Sequence, residues 1–261
     1  MLTTERRAEA LVGRTEGVAA LARGADLERQ VPTCPDRDLR ELLRHIGRAH
    51  LFSADTVRRR VSHPAEMASP SDFPAPDEAG ALAEWLWAGG GELRDAVEDA
   101  GADAPVWNFS GRRRQAGFWL RRMVHETSVH RADVAMTVGE PYEVAPDVAA
   151  DGISEWLDLV TGPGAAEARP EAAEALRGQG QTLHPHAPDP RGLGQAGEWM
   201  IHREPDGVTW HHGHQKADTA LRGPAADLLL AFLGRIPWTD ERIEVLGDTS
   251  LLDHWLRHAT F

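Results

Sequence analysis

Between Gly117 and Val134 the chain writes a helix that must bury charge. At 100° per residue, Trp119, Met123, Glu126, His130 and Val134 share one stripe. Three of the five are apolar, so the stripe faces a core. Glu126 and His130 stand one turn apart on it and point the same way. Desolvating a carboxylate beside an imidazole is costly unless a partner compensates both. A divalent metal does so, because it binds a deprotonated carboxylate and a neutral ring nitrogen. A third ligand must then come from another segment. The same spacing also fits an ordinary helix pair in which Glu126 is bridged to Arg122, one turn earlier.

The best source of a third ligand is the helical pattern over 37–61, opened by Asp36 as a cap and carrying an apolar stripe through Leu42, Ala49 and Phe52. His45 lies on that stripe. Alone, such a histidine is more simply a satisfied core group. With Glu126 and His130 it makes a two-histidine, one-carboxylate set, which in catalytic zinc sites leaves one coordination position open. The adjacent His125-Glu126 does not make an H-E-x-x-H peptidase motif: position 129 is Val129, and His125 and His130 diverge by about 140° around a helix.

Elsewhere the signals are plainer. His184 and His186 would share a strand face, and His211, His212 and His214 cluster further on; a solvated strand edge accounts for both groups. Cys34, in a proline-flanked turn, reads as structural rather than nucleophilic. As the single cysteine it excludes an internal disulfide and fits a reducing compartment.

Periodicity divides the 261 residues into two styles. Helical patterns cover 3–22, 37–61, 78–99, 117–139 and 147–160, with a kink or break expected at Gly89-Gly90-Gly91. A Gly-, Ala- and Pro-rich stretch follows, read as a linker with one short helix. The period then shifts towards two: a hairpin over 197–214 turning at Pro205-Asp206-Gly207, strands at 217–221 and 243–246, and helices at 225–233 and 249–258. The expected organisation is a helical domain over 1–163, a linker over 164–180 and a small α+β domain over 181–261. A net charge of −13, from 28 basic and 41 acidic residues, argues against nucleic acid or an anionic membrane as partner. No bilayer-length apolar run and no apolar leader is evident, so the expected location is cytoplasmic.

Several motifs together resemble the mycothiol-dependent maleylpyruvate isomerase family. They are Val31-Pro32-Thr33-Cys34-Pro35, Leu42-Leu43-Arg44-His45, the run from Arg121 to Asp133, and Pro146 to Ile153 with Glu155. In the back half they are Gly197-Glu198-Trp199, Leu221-Arg222-Gly223-Pro224-Ala225 and Leu233-Gly234-Arg235. The resemblance implies a DinB-like four-helix bundle followed by a sterol-carrier-like α+β domain. It also implies zinc, or another divalent metal, on His45, Glu126 and His130, the same trio that the stripes select. Mycothiol, a low-molecular-weight thiol, would act as cofactor on a small electrophile, by cis–trans isomerisation of a maleylpyruvate-like acid or by S-transfer. Arg235 is the expected catalytic arginine for a carboxylate-bearing substrate, and the chain is expected to be a monomer. The rival readings are a metal-dependent hydrolase, a transferase using another thiol, and a non-enzymatic protein binding an apolar ligand.

Overall fold

The computed structural model describes residues 2–112, 114–188 and 192–259, which separate into two compact units. The first is Leu2–Phe109 with the segment that ends at Glu143. The second takes Ser110–Arg112 and everything described from Val144 onward.

The first unit is a bundle of α1 (Thr4–Ala22), α2 (Leu39–Arg58), α3 (Ala79–Ala100) and α4 (Ala116–Val138). Helix α2 starts two residues later than the Asp36 cap predicts. Asp38 caps it instead, because its carboxylate accepts the Glu41 amide while Glu41 reaches back to the Asp38 amide, closing a capping box. Helix α4 ends at Gly139, whose φ of 81° is left-handed backbone that glycine adopts without strain. Val18, Leu42, Leu43, Ile46, Leu82, Leu86 and Val134 meet in the core.

The break expected at Gly89-Gly90-Gly91 does not occur; α3 runs through it. Two of the glycines are there for close approach rather than for flexibility. A Cβ on Gly90 would sit 2.6 Å from Thr15 Oγ1 on α1, and one on Gly89 would sit 3.3 Å from His50 Cβ on α2. Tertiary packing thus holds helical a stretch whose intrinsic propensity opposes it.

The second unit holds α5 (Pro146–Val160), α6 (Pro163–Ala168), α7 (Pro170–Leu176), α8 (Ala225–Phe232) and α9 (Thr249–His258). It also holds one sheet of β1 (Gln181–His186), β2 (Trp199–Glu204), β3 (Gly207–His212), β4 (Thr219–Arg222) and β5 (Glu244–Gly247), in the order β3-β2-β1-β4-β5. Only β1 and β4 run parallel. Helix α5 belongs to this unit, so the contacts divide the chain near Val144 rather than at 163. The reason is its apolar face: Ile153, Trp156 and Leu157 join Trp199, Leu228 and Trp255 in one core, and Trp156 stacks on Phe232 with ring centroids 4.9 Å apart. The stretch read as a linker with one short helix carries two, α6 and α7. The central strand β1 carries Pro185, a residue that cannot donate to a ladder. It is tolerated where pairing with β2, which covers 181–183, has already ended.

The architecture is therefore a helical bundle followed by a small α+β unit with a mixed sheet. Among the described residues, no helix is long and apolar enough to cross a membrane.

Candidate metal centre

In the first unit, α2 and α4 bring together the three side chains that the two stripes single out. His45 Nε2 lies 3.0 Å from Glu126 Oε1, and His130 Nε2 lies 3.2 Å from the same oxygen. The two imidazoles are edge to face, with centroids 5.1 Å apart. One donor atom from each of the three residues falls within 4.8 Å of the other two. That is a spacing a small cation can draw together.

The bridge from Arg122 to Glu126 is also present, and it does not compete. Arg122 Nη2 donates to Oε2 at 3.0 Å, which leaves Oε1 turned towards both histidines. One carboxylate thus serves two purposes, its charge balanced on one side while its other oxygen faces the imidazoles.

His130 is oriented from behind. Its Nδ1 lies 2.8 Å from Asp133 Oδ2, and a buried carboxylate can only accept, so Nδ1 carries the proton. Nε2 must then meet Glu126 Oε1 through a proton or a cation. Asp133 is itself held by the turn before α2, with Thr33 Oγ1 donating to Oδ1 at 2.5 Å and Cys34 Sγ lying 3.7 Å from Oδ2. A carboxylate behind a ligating histidine is the usual outer partner of a metal site. Sequence reasoning gave Asp133 no role, although its position three residues after His130 put it on the same helix face.

Burial opposes charge on both members of the pair, but the contacts outweigh it. Hydrogen bonds from His130 and His45, with Arg122 nearby, hold Glu126 well below the usual carboxylate range. Asp133, Cys34 and Glu126 hold His130 well above the usual imidazole range. A metal arriving here would displace the His130 proton.

Two buried histidines of this unit are separate from the trio. His50, fully buried on α2, pairs with Thr127 Oγ1 at 2.7 Å, and burial pushes its pKa down to about 4. It is a core histidine, fully enclosed, where His45 is part exposed. His125 is buried on α4 outside the trio.

His45 also lines a cleft of about 510 Å³ whose walls include Arg37, Arg44, Arg48 and Phe52. Phe52 meets Trp119 edge to face at 5.8 Å, giving the cleft an apolar flank beside three guanidinium groups. Asp36 and Glu41 share this rim with the three arginines, and Arg44 is paired with Asp77; Arg44 and Arg48, at i−1 and i+3 from His45, were its legible signal.

Arg235 lies in the second unit, where it lines a pocket of about 550 Å³ with Trp156, Phe232, Trp238 and Arg257. Its Nη1 donates to the Leu233 carbonyl at 2.7 Å, which steadies the head group.

The class of protein defined by these features is a helical bundle with a candidate His₂Glu centre, joined to an α+β unit. Comparison with known families makes this specific. Residues 8–135 match the mycothiol maleylpyruvate isomerase N-terminal domain, and residues 147–254 match the C-terminal domain of that family. The chain belongs to the mycothiol maleylpyruvate isomerase family. Neither the curated proteins nor the solved structures gave a match.

Proposed function

We propose that the chain is a divalent-metal enzyme that uses mycothiol to isomerise a small unsaturated acid of the maleylpyruvate kind. The observation that carries this reading is the convergence of His45 Nε2 and His130 Nε2 on Glu126 Oε1, with His45 also lining a cleft, in a chain of this family. The donor set suits zinc: two neutral imidazoles and one carboxylate leave room for an exogenous ligand. A cation bound there would lower the pKa of a thiol offered to it, so that thiolate is available at neutral pH. Thiolate addition to an activated cis double bond would leave an enolate with a single bond free to rotate, and expulsion of the thiolate would restore the double bond as trans.

The residues of the chain supply the rest. Asp133 fixes the tautomer and orientation of His130. Arg122 engages Oε2 of Glu126 and so leaves Oε1 aimed at the two histidines. Arg37 and Arg48 offer guanidinium groups to an anionic substrate at the cleft, and Phe52 with Trp119 limits water on one side. For Arg235 the proposal is carboxylate binding in the pocket that it lines, where a planar guanidinium can engage both oxygens.

The test is an assay of purified chain with maleylpyruvate, read as cis-to-trans conversion, with and without mycothiol and after chelation. Turnover should need both the thiol and the metal, and His45→Ala, Glu126→Gln and His130→Ala should reduce it to background. Conjugate accumulating in place of the trans acid would make the outcome S-transfer. Equal activity with glutathione or with water alone would replace the reading by the other-thiol transferase or the hydrolase. Apolar-ligand binding indifferent to His45→Ala and to chelation, without turnover, would make the chain a binding protein.

A further inference from the structure

The sheet of the second unit gathers a second set of metal-type donors, with no part in the reading above. His184 and His186 alternate on β1 and so share one face. An isolated bridge pairs His186 with Glu198, the residue before β2, which sets that carboxylate across from both rings. The β2–β3 hairpin then returns the chain, pairing Trp199 with His212. The Glu198 carbonyl accepts from Gly213 N at 3.3 Å and lies 3.0 Å from His212 Nδ1, which fixes His214 above the same carboxylate.

The four side chains converge on one point. His184 Nε2 and His214 Nδ1 lie 2.8 and 3.1 Å from Glu198 Oε2, and His186 Nδ1 lies 2.6 Å from Oε1. One ligand atom from each residue is within 4.8 Å of the other three. The three imidazole centroids are mutually 4.8–5.9 Å apart.

His184 and His214 share Oε2 of Glu198, whereas His186 alone crowds Oε1. Its Nδ1 is buried and closest of all to the carboxylate, yet makes no hydrogen bond of acceptable direction. A buried nitrogen crowded against a carboxylate oxygen in this way can turn its lone pair to a cation that all four side chains hold, once the donors draw apart around it. Access comes from one side: the side chain of His184 is 7 % exposed and that of His214 is 69 % exposed.

We propose that His184, His186, Glu198 and His214 form a second divalent-metal site, of the borderline class that Zn²⁺ represents. Four protein ligands close the coordination sphere of such an ion, the pattern of a structural site. The site ties β1, the start of β2 and the segment after β3 to one another, and its metal stabilises the second unit by mass action.

The test is zinc content per folded chain after equilibrium dialysis of the full-length, chelator-stripped protein. Wild type should hold about two zinc ions per chain, and His214→Ala, His186→Ala and, separately, His130→Ala about one each. His214→Ala keeps the test decisive if His186→Ala misfolds, because His214 is exposed and lies outside the strands. The apparent melting temperature of His130→Ala should also rise with added zinc, and that of the His130→Ala, His214→Ala double variant should rise less. Wild-type content retained in His214→Ala and His186→Ala would overturn this site and leave the first standing. Zinc retained in His130→Ala and lost in His214→Ala would support this site and count against the first.

Discussion

His130 Nδ1 and Asp133 Oδ2 lie 2.8 Å apart on one face of α4, and this contact decides which imidazole nitrogen is left for Glu126 and His45. Asp133→Asn keeps the shape and removes the charge that holds the tautomer. Metal affinity at the first site should fall by about 10–100-fold, as for other carboxylates behind ligating histidines. Competition with a chromogenic chelator measures it. Unchanged affinity would strip Asp133 of the orienting role.

His50 gives the fold an acid sensitivity of its own. Its folded pKa is about 4 against an ordinary 6.5, because burial penalises the charged ring. The unfolded chain therefore takes up this proton first. The contribution of this group to stability is fully present above pH 6.5, shrinks as the pH falls, and is gone below about 4. At 1.36 kcal/mol per unit the full loss is roughly 3 kcal/mol. Urea midpoints across this window should slope less in His50→Gln than in wild type; identical slopes would assign the acid sensitivity to other groups.

The glycine run in α3 offers a pair of opposite outcomes. In Gly90→Ala the new Cβ would meet buried Thr15 Oγ1 at 2.6 Å, so overpacking should cost about 1–3 kcal/mol despite better helix propensity. In Gly91→Ala nothing lies within 4 Å, and the propensity gain of up to about 1 kcal/mol should emerge. Thermal unfolding of the two variants should shift in opposite directions. A stabilised Gly90→Ala would mean that α1 and α3 can separate at little cost.

Arg235 is tested by reversing its charge. If the guanidinium holds a substrate carboxylate, Arg235→Glu should raise KM steeply while zinc content stays at the wild-type value. An unchanged KM would reduce Arg235 to its structural contact with the Leu233 carbonyl.

The sequence alone determined what is local and periodic. The stripe through Glu126 and His130 and the stripe through His45 picked out the three side chains that the fold brings together, because a carboxylate or imidazole on an apolar face is conspicuous at 100° per residue. The hairpin at Pro205-Asp206-Gly207 and the helix after Pro224 were legible for the same reason, since turn chemistry and periodicity are written within a few residues. What depends on contacts far apart in sequence waited for the tertiary structure. Asp133 gained its role only when the Thr33-Cys34 turn, a hundred residues earlier, closed on it. The Gly89-Gly90-Gly91 run stayed helical only because two neighbouring helices needed the space of a missing Cβ. The strand through Pro185 and the meeting of His184, His186, Glu198 and His214 followed from sheet register, which is fixed by burial and pairing rather than by any single segment.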